Sequence, residues 1–287
     1  MVGISSATDA GSLEAMRQLG IKRVRMTIIW NNYLDTRCFA DDRATPVNGG
    51  GHTMAEFFGM DLATFAAAGI EPMVAVHSPP TGMTFEQGVV AMPAFMAGLA
   101  KQFPGMRWQI LNEMDAGSVF TGGNQDWCLA DSNVTQKVRG DRYGQILGPV
   151  YDAIKAADPT ATVIAAGIAL EPTEFYAGFN ARAPGKYDAV AVHCYGPPVT
   201  PVFKSKSAAM RAVLGSTPLW CTEFGNNQTD DTSQSGDIAE ALDENDRHNR
   251  FDRAYVYTLI GDGGYGIVRA DGSLRHSATH LTDRVAR

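Results

Sequence analysis

Two glutamates stand where carboxylates are costly. Glu113 ends the run Trp108-Gln109-Ile110-Leu111-Asn112-Glu113, and Glu223 lies in Pro218-Leu219-Trp220-Cys221-Thr222-Glu223-Phe224-Gly225. In each case an apolar, strand-like stretch terminates in a carboxylate, which is expensive to desolvate unless partners compensate it. Either residue alone reads equally well as a cap on the following loop. As a pair they can divide labour: one carboxyl gives up and recovers a proton while the other stays ionised and attacks an electrophilic carbon.

The elements that must position them form a repeating pattern of apolar run, polar loop and helix-period segment. Strand-like runs fall at Val2–Ser5, Arg23–Ile29, Glu71–Val76, Arg107–Leu111, Thr162–Gly167, Ala189–His193, Leu219–Thr222 and Ala254–Leu259. Their nearly continuous apolar character is that of parallel strands buried on both faces. Helix-period segments lie between them at Ser12–Leu19, Thr53–Ala67, Pro93–Gln102, Arg142–Ala157, Thr173–Ala181, Ser207–Leu214 and Asp237–Asn249, with a last near Ser277–Val285. Gly20, Gly69 and Gly215 are placed to close helices in a left-handed conformation. Uniform βα alternation without a Pro- or Ser-rich linker predicts an α/β protein, a single (β/α)8 TIM barrel over residues 1–287. The long connections 31–52, 113–133 and 224–235 all follow strands, so they wall the C-terminal face where such barrels keep their sites. Glu113 and Glu223 end the fourth and seventh strands and so face each other across the mouth. Two carboxyl groups about 5–5.5 Å apart there suit glycosidic cleavage with retention of configuration.

Composition narrows the choices. Hydrophobic residues make up 45% and charged residues 19% of the 287, enough for a sizeable core. A formal charge of −7, with no basic cluster longer than Lys204 to Lys206, disfavours nucleic acid as a partner. No window is apolar enough to span a membrane, and the N-terminus shows no signal peptide. A trimmed export signal would look the same, so location stays open. The four cysteines have no zinc spacing. Cys194 and Cys221 read as buried thiols, whereas Cys38 and Cys128 fall in loops and can pair.

With these residues in view, the sequence resembles glycoside hydrolase clan A, nearest to families 5 and 39, over almost its whole length. The likeness rests on Arg25 with Trp30 after strand two, His77 ending strand three, Asn112-Glu113, His193-x-Tyr195 and Thr222-Glu223-Phe224-Gly225. It implies Glu113 as acid/base and Glu223 as nucleophile, with Arg25 and Tyr195 keeping Glu223 ionised and Asn112 donating to a sugar hydroxyl. His77 and His193 would line the site or bond the carboxylates. The implied substrate is a β-linked polysaccharide or oligosaccharide, with no cofactor and no metal, and a monomer is expected. Two departures bear on sugar specificity: Met114 follows Asn-Glu where family 5 often has proline, and strand eight offers Tyr255 and Tyr257 in place of tryptophan. Tyr257 is therefore a substrate-binding candidate, and Trp30, Trp127 and Phe120 are candidate platforms for sugar rings.

Gly261-Asp262-Gly263-Gly264-Tyr265-Gly266 fits a dinucleotide fingerprint, but no helix is expected to open after it, so it reads as a loop over the barrel mouth. Two other functional classes remain. A non-catalytic sugar-binding barrel would not need Arg25 and an ionised Glu223. A metal-dependent barrel hydrolase would want a His-x-His on the first strand, where the sequence has Val2-Gly3-Ile4-Ser5.

Overall fold

The computed structural model describes residues 2–5, 10–47, 50–116, 127, 133–228, 230–261, 264–269 and 271–285. Eight parallel strands close into a barrel: β1 (Val2–Ser5), β2 (Arg23–Ile29), β3 (Glu71–His77), β4 (Arg107–Asn112), β5 (Thr162–Ile168), β6 (Ala189–Tyr195), β7 (Leu219–Gly225) and β8 (Arg253–Tyr257). Each pairs with its neighbour in sequence, and β8 pairs with β1. The helices α1 (Ala10–Gln18), α2 (Met54–Ala67), α3 (Phe85–Gln102), α4 (Gln136–Ala157), α5 (Pro172–Arg182), α6 (Val199–Leu214), α7 (Asp231–His248) and α8 (His276–Val285) follow the strands in turn. The expected (β/α)8 architecture is therefore present, and no described helix is long and apolar enough to cross a membrane.

Differences in detail lie mostly at helix starts. α3 begins at Phe85, not Pro93, behind a capping box in which Thr84 accepts from Gln87 N–H and Gln87 accepts from Thr84 N–H. Proline favours a first turn, but Pro93 and Pro149 both sit inside helices. α4 and α7 likewise start early, capped by Thr135 and Asp230. The first turns of α4 and α7 are polar and carry little apolar periodicity, so the pattern underestimates them, whereas α3 opens on the buried Phe85. Gly20 and Gly69 take positive φ as expected, while Gly215 combines φ 59° with ψ −121°, outside the left-handed helix. Cys38, Cys194 and Cys221 are free thiols; Cys128, which the sequence left open as a partner of Cys38, lies outside the described residues, as does Phe120.

Apolar side chains pack in two places. A large cluster fills the layer between barrel and helices, and a small one, including Met73, Ile164, Trp220 and Tyr255, fills the barrel itself. Near the mouth the β4–β5 ladder is interrupted: Ile110 pairs with Ala165 and Asn112 with Gly167, but Leu111 is skipped and takes φ 61°. The buried phenol of Tyr143 on α4 fills the gap, donating to Ile110 O at 2.9 Å and accepting from Ala166 N–H at 2.8 Å. Tyr143→Phe keeps the ring and strands both backbone groups. The variant should lose about 1–3 kcal/mol of unfolding free energy in urea titration; an unchanged midpoint would show that the ladder closes without the hydroxyl.

Candidate active site

Arg25, on the inward face of β2, is only 4% exposed. Its three nitrogens each find an acceptor: Nη1 lies 2.6 Å from Glu223 Oε1, Nη2 donates to Asn112 Oδ1 at 2.7 Å, and Nε donates to Gln109 Oε1 at 3.3 Å. Gln109 Nε2 also donates to Asn112 Oδ1 at 3.0 Å. With both donors on its oxygen, Asn112 is left with Nδ2 as the atom to offer a ligand.

Glu223 uses its other oxygen differently. Tyr195 at the end of β6 donates its hydroxyl to Glu223 Oε2, and His193 Nδ1 lies 3.4 Å from the same atom. His193 Nδ1 is 2.5 Å from Glu113 Oε1, so one imidazole stands between both carboxylates. One atom each of Glu113, His193 and Glu223 lie within 4.8 Å of one another. Burial pushes the Glu223 carboxyl up, but the charges of His193 and Arg25 and the Tyr195 hydrogen bond outweigh it and hold the group below the ordinary glutamate range. His77 bonds Ser78 Oγ at 2.7 Å, and burial, with the Arg25 charge, pushes its pKa down to about 4. It is therefore neutral at physiological pH.

The backbone contributes as much as the side chains. Glu113 itself takes φ 49°, a region that non-glycine residues seldom enter; its N–H donates to Gly167 O at 3.0 Å. Gly167 also lets the His193 ring close in: a Cβ there would lie 2.0 Å from His193 Nε2. On the far side, Tyr195, Tyr257 and Tyr265 form an edge-to-face group with ring centroids 5.4–5.8 Å apart. Tyr265 comes from the glycine-rich loop, which leads into isolated bridges and not into an α-helix. Buried Gln234 of α7 fixes that loop, donating to Gly264 O at 2.8 Å and Tyr265 O at 3.2 Å.

The structure thus gathers Arg25, His77, Asn112, Glu113, His193, Tyr195, Glu223 and Tyr257 at one end of the barrel. It does not bring Trp30 and Trp127 there. Trp30 is 1% exposed and stacks on Phe95 at 5.1 Å, and Trp127, also 1% exposed, packs edge-on to Phe85 and Trp30. Trp127 Nε1 donates to Met83 O, and its ring lies against Gly88. Both belong to the layer between barrel and helices, so their expected role as sugar platforms is corrected to packing. Gln109, Gly167 and Tyr265 were not singled out in the sequence. A polar Gln109 at alternate spacing from Arg107 in an apolar strand was the available signal for the first.

Asp115 needs separate treatment because it lies two residues from Glu113. Burial raises its carboxyl above the usual aspartate range, which alone would suit a proton donor. Geometry decides otherwise. Its oxygens accept from Ala169 N–H at 3.0 Å and Leu170 N–H at 2.5 Å, turned into the β5–α5 connection. A cavity of about 170 Å³ beside β2 and α2, lined by Thr27, Ile29, Tyr33, Phe57 and the Arg43–Asp61 pair, shares no residue with the glutamate cluster. Glu113, His193 and Glu223 are the described residues whose donors could hold a metal ion. Arg25, at 2.6 Å from Glu223, already places a positive charge among them.

Residues 131–283, more than half of the chain and including Glu223, match the family model described as glycosyl hydrolase catalytic core. No curated protein matches the sequence. Among solved structures, the chain is similar to a glycoside hydrolase family 39 enzyme from Xanthomonas axonopodis pv. citri, with TM-score 0.72, 14% identity, and coverage of 99% of this chain and 66% of that one. It is similar also to an exo-β-1,4-mannosidase from Opitutaceae bacterium strain TAV5, with TM-score 0.71, 13% identity, and coverage of 99% and 59%. A family 128 endo-β-1,3-glucanase from Sorangium cellulosum gives TM-score 0.60, 12% identity, and coverage of 98% and 97%. The chain spans less than two thirds of the length of the first two, and at these identities the likeness is one of fold. The family match, joined to this barrel, is specific: the chain belongs to the glycosyl hydrolase catalytic core family.

Proposed function

We propose that the protein hydrolyses β-glycosidic bonds of a polysaccharide or oligosaccharide with retention of configuration, Glu223 acting as nucleophile and Glu113 as acid/base. The observation that carries this reading is the pair of buried carboxylates at the ends of β4 and β7, with atoms within 4.8 Å, one of them clamped by Arg25. An approach this close between their nearest atoms fits the roughly 5–5.5 Å between carboxyl groups in double displacement better than the roughly 6.5–9.5 Å that an inverting enzyme needs to admit water. Several fold neighbours are named for β-linked sugars.

In the first displacement Glu223 attacks the anomeric carbon while Glu113 protonates the departing oxygen. Arg25 and Tyr195 hold Glu223 ionised and fix its orientation. Asn112 Nδ2 is placed to donate to a sugar hydroxyl, a contact that strengthens as the oxocarbenium-like transition state forms. In the second displacement Glu113 takes a proton from water, which releases the sugar from Glu223. His193 keeps Glu113 aimed at the cleft throughout. Tyr257 offers an aromatic wall to the sugar ring in the absence of a strand-eight tryptophan. All of these groups lie on one chain, so a monomer suffices.

Proton NMR of the first-formed product from an aryl β-glycoside should show the β-anomer. Glu223→Ala should lose turnover and, with Arg25 left unpaired, about 3–5 kcal/mol of stability while keeping its fold, with azide or formate restoring cleavage of an activated substrate. An inverted first product, or a Glu223→Ala variant as active as wild type, would rule the assignment out.

Acid catalysis supplies about 10²–10⁴-fold and matters most for poor leaving groups. Glu113→Gln should therefore slow single-turnover glycosylation strongly on an oligosaccharide and little on a dinitrophenyl glycoside. If Asp115 were the acid, Asp115→Asn would show that dependence instead; its backbone hydrogen bonds predict that it will only lower stability.

The ionisation of Glu223 sets the acid limb of kcat/KM. Because its carboxyl is held low, activity should persist as pH falls through the ordinary glutamate range and fail only below it. Tyr195→Phe deletes one of the contacts that lower it, so the acid limb should move to higher pH. A limb that stays in place in this variant would mean that Tyr195 does not tune the nucleophile.

A further inference from the structure

The opposite end of the barrel holds a second charged group that the glycosidase reading leaves unused. Arg23, Glu71, Arg107 and Arg253 are the first residues of β2, β3, β4 and β8. Arg253 Nη1 donates to Glu71 Oε1. Since β1 and β2 lie between β8 and β3 in the sheet, this contact crosses the barrel floor. Arg107 Nε lies 3.3 Å from the same Glu71 oxygen and Arg23 Nε 4.0 Å from it. Three guanidinium groups thus converge on one carboxylate oxygen.

Neither charge nor hydrogen bonding balances there. Among the described residues, Glu71 is the carboxylate in ion-pair contact with any of the three arginines. The acids next along the chain are engaged elsewhere, Asp188 with Lys155 at 2.7 Å and Asp252 with Arg211 at 2.9 Å. The cluster therefore carries two positive charges in excess, in a chain whose formal charge is −7. Each guanidinium offers five N–H donors in a fixed fork, far more than one carboxylate and the Tyr255 hydroxyl beside Arg253 can accept, and Arg23 Nε is buried without a hydrogen-bond partner. Trp220 backs the cluster, its ring 4.8 Å from the Arg253 guanidinium, and the apolar plug behind it lowers the local dielectric and strengthens any charge contact. Side-chain exposures of 25% for Arg23 and Arg107 and 15% for Arg253 leave the group open to solvent.

We propose that this basic floor is a binding site for a small oxyanion, a phosphate or sulfate group that is either free or carried on a sugar. Forked guanidinium groups match the paired oxygens of such a group, and the anion would meet the donors that Glu71 leaves unanswered. The site is independent of the reaction at the other end of the barrel.

Calorimetric titration of the intact protein with inorganic phosphate, at constant ionic strength set by chloride, tests the proposal. One saturable site is expected. Arg23→Gln and Arg107→Gln should each weaken it about tenfold or more. Glu71→Gln should act in the opposite sense and tighten it, because it removes a like charge and leaves only a neutral, weaker acceptor to compete; general destabilisation would not produce that sign. Parallel titration with glucose 6-phosphate tells a free ion from a sugar-borne one by which binds more tightly. Absence of saturable binding of either ligand to the wild-type protein overturns the proposal, as does binding that survives unchanged in the Arg23→Gln/Arg107→Gln double variant, with circular dichroism confirming its fold.

Discussion

A guanidinium shut inside a barrel has to be answered by charge, and Arg25 is answered by Glu223 at 2.6 Å. Removing two ions from water costs several kcal/mol for each, and only close geometry with further hydrogen bonds recovers it; losing one partner of such a pair typically costs about 3–5 kcal/mol. The pair joins β2 to β7 across the mouth, and Gln109 and Asn112 tie in β4. Everything else at the mouth follows from which carboxylate oxygen Arg25 takes. With Oε1 occupied, Oε2 faces Tyr195 and His193, and His193 in turn meets Glu113. The ion pair therefore gives stability and the ionisation state of Glu223 through one set of contacts.

Strand alternation extends this order through the whole barrel. Residues two apart share a face, so β8 delivers Arg253 to the floor, Tyr255 to the middle and Tyr257 to the mouth, while β2 delivers Arg23 and then Arg25. Between the two polar ends sits the small apolar cluster of Met73, Ile164, Ala189, Ala191, Trp220 and Tyr255. The interior is a packed column with charge at both ends and grease between them, as expected of a barrel whose core is filled by layers of side chains and is not a pore.

How much of this was legible depends on what each residue's signal was. Glu113, Glu223, Arg25, His193 and Tyr195 are polar residues in or beside apolar strands, an arrangement that costs too much to be neutral, and the structure gathers all of them. Trp30 and Trp127 misled because tryptophan serves a sugar face and a core equally well, and only packing against Phe95 and Phe85 distinguishes the two. The starts of α4 and α7 were hidden because their first turns are held by caps at Thr135 and Asp230, not by an apolar stripe. Tyr265 was legible only as part of a glycine-rich loop over the mouth; its place beside Tyr195 depends on Gln234, thirty-one positions earlier in the chain.

Gly167 has no side chain, yet it helps set how His193 addresses Glu113. The imidazole edge occupies the volume where a Cβ would stand, 2.0 Å from Nε2, and this close seat leaves Nδ1 turned toward the carboxylate. Part of the site is thus written as vacant space, on a strand that supplies neither Glu113 nor Glu223. Even one added carbon at position 167 would push the His193 ring out of that seat, and with it the nitrogen that meets Glu113.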